Sequence, residues 1–214
     1  MQKTVEEITH DVRMLIDENE DNSLLISETD EVANGTDEII KKSIIPAIDR
    51  VNAIAPTELL SDVTETTTLT LTPHKKGKAA AAPEHMHRFI YADAQDWDTV
   101  LYEAISNTDE RYEMQSSEFA GIRGSASRPV VALVPGGGKK LRLEIYSTDQ
   151  NALTLGYVKR ASLNADMVEI AEAVYEAALC EVARYYMVSV GEAERARYYE
   201  QLAMEQLGME PTAQ

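Results

Sequence analysis

The spacing of apolar residues switches from helical to alternating and back again along this chain of 214 residues. That order limits the available folds more than any motif does. In TVEEITHDVRMLIDEN, Val5, Ile8, Val12, Leu15 and Ile16 recur at three and four, and Thr4 stands three residues before Glu7 in capping-box spacing, so a helix is expected. Thr36 is placed to cap a second helix, whose Ile40, Ile44, Ile48, Val51 and Ile54 share a face, with Pro46 inside to kink or break it. From Val63 the grammar changes: VTETTTLTLT is β-branched, with Leu69 and Leu71 in alternation, and reads as a strand. HMHRFIYA predicts another strand, and DWDTVLYEAI (96–105) a short helix with Trp97, Val100, Leu101 and Ile105 inward. NALTLGYV predicts a further strand of a meander. Between the first two strands, TPHKKGKAAAAPEH has no period and a proline near each end, the composition of a mobile loop. The helical period returns at Asn164, a candidate cap, with Met167, Ile170, Ala171, Val174, Ala178 and Tyr185 along one side. Gly191 interrupts it, and a last helix stops at Gly208.

Helices at both ends around a β-rich middle predict the α+β class: a bundle of about four helices with an inserted β-rich meander or hairpin subdomain. The expected divisions are an N-terminal helical segment at 1–62, the insertion at 63–160, and a C-terminal helical pair at 161–214 that packs with the N-terminal helices.

VVALVPGGGKKLRLEIYS poses the one motif question. Three glycines and two lysines suggest a phosphate cradle, but a Walker-type loop needs Ser or Thr after its lysine and a helix directly behind. LRLEIY alternates instead, so Gly136, Gly137 and Gly138 are expected to turn a hairpin and not to hold a nucleotide.

The formal charge of −17 argues against general affinity for nucleic acid, which needs clustered Lys and Arg. Residues 1–62 carry 15 acidic and 5 basic side chains, 63–164 carry 12 of each, and 165–214 carry 10 and 3. Acid therefore sits at both ends. No apolar run reaches the length of a membrane span and the charged start MQKTVEEITH is unlike a signal peptide, so a soluble, unsecreted protein is expected. The single cysteine, Cys180 in EAALCEVA, reads as a small buried hydrophobe.

Chemistry-bearing patterns are few. His85 and His87, two apart beside Glu84, could supply two metal ligands from one strand face, but no third ligand stands at diagnostic spacing; His10 and His74 do not provide it. With no nucleophile elbow, HExxH or dinucleotide fingerprint, neither catalysis nor a cofactor or metal is expected. The paired tyrosines Tyr185, Tyr186 and Tyr198, Tyr199 are candidates for a subunit interface. Neighbours on a helix point about 100° apart, so each pair either divides between core and surface or meets another copy. Lys75, Lys76 and Lys78 either solubilise their loop or contact an acidic partner.

The stretches TVEEITHDVRMLID, FIYADAQDWDTVLYEAIS, FAGIRGSASRPVVALV and AVYEAALCEVARYYMVSVGEAERARYYEQL resemble the head-to-tail connector, or adaptor ring, proteins of tailed bacteriophages, especially crAss-like and other short-tailed phages. The resemblance implies a virion structural protein without catalytic residues. It would form a ring with copies of itself, a dodecamer by expectation, that joins portal to tail or further ring proteins. Genomic DNA would pass through the ring without sequence-specific binding, and no membrane would be involved. The implied location is the portal-tail junction of the virion, reached from the host cytoplasm. The other function class that the charge allows is an acidic binding protein that mimics DNA to occupy a basic partner.

Overall fold

A computed structural model describes residues 1–18, 30–75, 77–119, 122–138 and 140–210. The chain is mixed α+β and divides into two compact units: Met1–Val63 with Ala161–Gln214, and Thr64–Arg160.

The first unit opens with strand β1 (Gln2–Thr4) and helix α1 (Val5–Glu18). The capping box closes as its spacing requires: Glu7 N–H donates to Thr4 Oγ1 at 3.1 Å, and Thr4 N–H to the Glu7 carboxylate at 2.8 Å. Helix α2 (Asp30–Ile54) begins six residues before the expected cap, so Thr36 lies inside it, where its hydroxyl is 3.5 Å from that of Tyr186. Pro46 does not end α2. It sits on the exposed side, and the buried row Ile40, Ile44, Ala47, Ile48 and Val51 holds the helix in place. A 3-10 turn, Thr57–Val63, follows.

The chain re-enters this unit at Ala161, whose N–H is held by Asp49 at 2.7 Å. The expected helix from Asn164 is corrected here. Ala165 and Asp166 take positive φ (49° and 63°), and β10 (Met167–Glu169) pairs antiparallel with β1, Lys3 opposite Val168. Met167 is thus exposed, while Ile170, Ala171 and Val174 are buried. Three residues of apolar spacing suit a strand as well as a helix, and the pairing partner stands at the other end of the sequence. Helix α4 (Tyr175–Ser189) packs against α1, α2 and α5 (Ala193–Gln206), and every residue from Ala177 to Ala183 on it is buried. A helix apolar nearly all round belongs at the centre. The carboxylate of Glu181, also on α4, lies between Arg50 Nε of α2 at 2.8 Å and Arg184 Nη2 at 2.6 Å, and Arg50 reaches Glu200 of α5 at 2.7 Å.

The second unit holds two sheets. Strands β2 (Thr64–Thr70), β5 (Met86–Asp93) and β9 (Ala152–Lys159) form an antiparallel sheet with β9 in the middle. Gly156 on β9 lies under the ring of Tyr91, which a Cβ there would overlap. The other sheet runs in the order β3 (Thr72–His74), β4 (Gly77–Ala81), β8 (Leu141–Ile145), β7 (Val131–Pro135), β6 (Ile105–Ser106), antiparallel except for β6 with β7. Between β7 and β8 the glycines turn the expected hairpin, Pro135 opposite Leu141, with Gly137 and Gly138 at φ 99° and 64°.

Three expectations are corrected in this unit. The proposed loop 72–85 is largely the hairpin β3–β4: its alanines are small enough to sit in a buried sheet, and Ala79 and Ala80 do so. β9 does not extend a meander from β8 but crosses to the first sheet. Residues 96–105 are not a helix: Leu101 exchanges two backbone hydrogen bonds with Ala92, of 2.8 and 2.9 Å, and Trp97 turns in to donate its indole N–H to Ser147 O at 2.9 Å. Trp97 and Ile105 are buried, but Val100 is exposed. The helix of this region, α3, comes later, at Glu110–Met114, where the Asp109 side chain accepts Arg111 N–H at 2.8 Å.

Candidate functional site

Strand β8 has a different surround on each face. Leu143 and Ile145 point into a core with Leu71, Val131, Leu153 and Leu155. Arg142 and Glu144 alternate with them, and Tyr146 continues their row just past the strand. That second face is also covered, by the small cluster Ile105, Ala132 and Val134 with Tyr112 of α3 and Tyr146. Glu144 stands in register between Ala79 and Ala132, two side chains short enough to leave a carboxylate room.

Its side chain is 1% exposed, and donors compensate for the lost water. Tyr112 donates its hydroxyl at 2.9 Å and Tyr146 does the same beside it. Arg142 Nη2 lies at 2.5 Å, His74 Nε2 at 3.2 Å and Lys75 Nζ at 3.8 Å. Burial alone would raise this acid; the hydrogen bonds of Tyr146, Tyr112 and Arg142, with the charge of Lys75, hold it at about 2. Burial and the bond to Glu144 push the Tyr146 hydroxyl well above its usual range. At neutral pH Glu144 is therefore an anion held beneath the Tyr146 hydroxyl.

Above it opens a cavity of about 500 Å³ lined by Lys75, Tyr112, Glu113, Ser116 and Tyr146. The two rings meet edge to face, 6.4 Å apart at 78°, and the Lys75 ammonium lies 5.7 Å from the Tyr112 centroid. The wall is aromatic, with one cation and one carboxylate at its rim.

The basic patch read in the sequence separates here. Lys75, at φ 49°, reaches this cavity. Lys78 is turned to the backbone oxygens of Asp149 and Gln150 and to Asn151 Oδ1, pinning the turn before β9. Lys76 lies outside the described residues.

The tyrosine pairs also differ from each other. Tyr199 is fully buried, its hydroxyl 3.3 Å from Leu15 O, while Tyr198 is 45% exposed and meets it edge to face at 5.5 Å. Tyr185 and Tyr186 are both half-buried, the first beneath the Arg184 guanidinium at 4.5 Å, the second beside Thr36. Cys180 is buried, which pushes its thiol up to about 11, as befits a packed hydrophobe. His85 precedes β5 and His87 falls at a register shift between Met86 and Arg88. Among the described residues no group of three or more His, Cys, Asp or Glu side chains is placed to hold a metal. Nor is any described helix long and apolar enough to cross a membrane.

Sequence reasoning missed Glu144, because LRLEI reads as a strand with one wet face. The available signals were Asp109 directly before Glu110, which announces a capped helix, and the tyrosine that helix α3 carries. Compared with known protein families and with curated proteins, the chain matches no family model and no curated sequence.

Proposed function

We propose that this chain is a ring-forming connector of a tailed-phage virion, joining portal to tail and forming part of the channel through which the genome passes. The observation that carries the proposal is the partition of charge between the units. The helical unit, built from both ends of the chain, holds 25 acidic and 8 basic side chains and thus the entire −17, whereas the β unit holds 12 of each. An acidic wall repels phosphate and lets DNA slide past. The neutral β unit is free of that repulsion and suits contacts between proteins. On the helical unit, Val188, Val190 and Tyr198 remain exposed and are available to a neighbour.

The experiment is particle imaging and mass measurement of the purified protein, alone and with portal, over a range of salt. Repulsion between copies keeps the free protein mostly monomeric at low salt, and closed rings form on the portal or as the Debye length shrinks to about 8 Å. A virion lacking this protein at the portal-tail junction, or a monomer indifferent to portal at every salt, overturns the proposal. The same partition favours a second reading, an acidic protein that occupies a basic partner, because the two acidic ends of the sequence fold into one body. A stable monomer that binds a basic protein with steep salt dependence supports that reading instead.

A further inference from the structure

A ring closes only through a heterologous contact, one surface meeting a different surface of the next copy. Two exposed features fit each other, although the cavity's cation already touches Glu144 at 3.8 Å and the Tyr112 hydroxyl at 3.4 Å from within its own copy. The cavity of the β unit offers two tyrosine rings set edge to face and the ammonium of Lys75, whose side chain is 56% exposed. The turn between α4 and α5 offers the complement. Val188 and Val190 are 55% and 47% exposed, and Gly191, at φ 86°, stands in open space. Glu192 and Glu194 are exposed, with no ion pair among the described residues. Apolar side chains beside unpaired carboxylates match aromatic rings beside a cation.

We propose that residues 188–194 of one copy seat in the Tyr112–Tyr146 cavity of its neighbour, the valines against the rings and Glu192 or Glu194 against Lys75. This contact rests on the ring reading and supplies its interface. Glu113, on the same rim, opposes an incoming acid, so the carboxylates are directed to the Lys75 side. Buried Glu144 takes no direct part; it holds Tyr112, Tyr146 and Lys75 in place from below.

The test uses full-length chain with portal under assembling salt, mixing isotope-labelled and unlabelled protein before zero-length carbodiimide crosslinking. Mixed-isotope crosslinks from Lys75 to Glu192 or Glu194 are expected. Lys75→Glu should weaken assembly about tenfold or more, a loss of about 1.4 kcal/mol, and combining it with Glu192→Lys and Glu194→Lys should restore it. Glu113→Lys should tighten assembly, a gain that a folding defect cannot mimic. Rings that form without the crosslink and ignore Lys75→Glu overturn the contact and leave the ring reading standing. A crosslink from Lys75 to portal, or to Glu192 or Glu194 within one copy, overturns it as well, and a protein that never assembles overturns both.

Discussion

The helical unit and the β unit each bury one acidic side chain among the described residues, Glu181 in the first and Glu144 in the second, and they satisfy it differently. Glu181 is clasped by guanidiniums from α2 and α4, with Glu200 of α5 completing the chain, so its charge ties three helices into one arrangement. Glu144 is met mainly by neutral hydroxyls and one guanidinium, and the two tyrosines that supply those hydroxyls also wall a cavity. Both acids lie in interiors where an unpaired charge is costly. The first sets packing between helices, whereas the second shapes a surface.

The single tryptophan, Trp97, is in the β unit, and the long helices are in the other, so indole fluorescence and helical circular dichroism report on the two separately. Glu181→Ala strands Arg184 and deprives Arg50 of one partner. It should destabilise the helical signal by about 3 to 5 kcal/mol in denaturant melts while the Trp97 transition stays in place. If both move together, the comparison breaks and the units unfold as one. Next is acid. Glu144 is held at about 2, below its ordinary 4.5, so its stabilisation is complete above about pH 4.5 and is lost as pH falls toward 2, a change of about 3 kcal/mol. The Trp97 transition should follow that window, and Glu144→Gln should flatten it. A helical signal that tracks the same window would deny the separation. Smaller again is Gly156→Ala, which drives the ring of Tyr91 off the sheet and strains its bond to Thr66 Oγ1, 2.8 Å long. About 1 to 3 kcal/mol should be lost from the fluorescence transition alone. Smallest is Tyr198→Ala, which should alter monomer stability by less than about 0.5 kcal/mol and yet weaken assembly on portal. A large loss of helix signal would make Tyr198 a core residue and remove it from the interface.

Much of the fold was legible because local period and burial agree where one face of an element is wet. The capping box at Thr4, the isoleucine row of α2, the strand at Thr64 and the glycine hairpin after Pro135 all follow from side chains within a few residues of each other. Where the partner is distant, the same reasoning failed. Met167, Val168 and Glu169 pair with the start of the chain, and Leu101 pairs with Ala92 although its spacing from Trp97 and Ile105 suits a helix. The cavity was hidden for a related reason. Alternation in LRLEIY separates two faces but does not say that the polar one is roofed, and the roof, Tyr112, stands 32 residues away from Glu144. Of the lysines, the sequence showed the cluster; the division between Lys75 at the cavity and Lys78 on backbone oxygens depends on which way a tight turn throws each side chain.

The split construction of the helical unit also imposes an order on biosynthesis. α1 and α2 leave the ribosome more than a hundred residues before α4, the helix that covers their apolar rows. At about 5 to 20 residues per second, those rows wait several seconds for α4 while all of the β unit, whose strands pair only with one another, is completed and can fold. Carboxylates interspersed through the nascent N-terminal segment, 15 against 5 basic groups in its first 62 residues, keep neighbouring chains on a polysome apart during that wait. The charge of the first segment thus acts on the chain before its fold is complete.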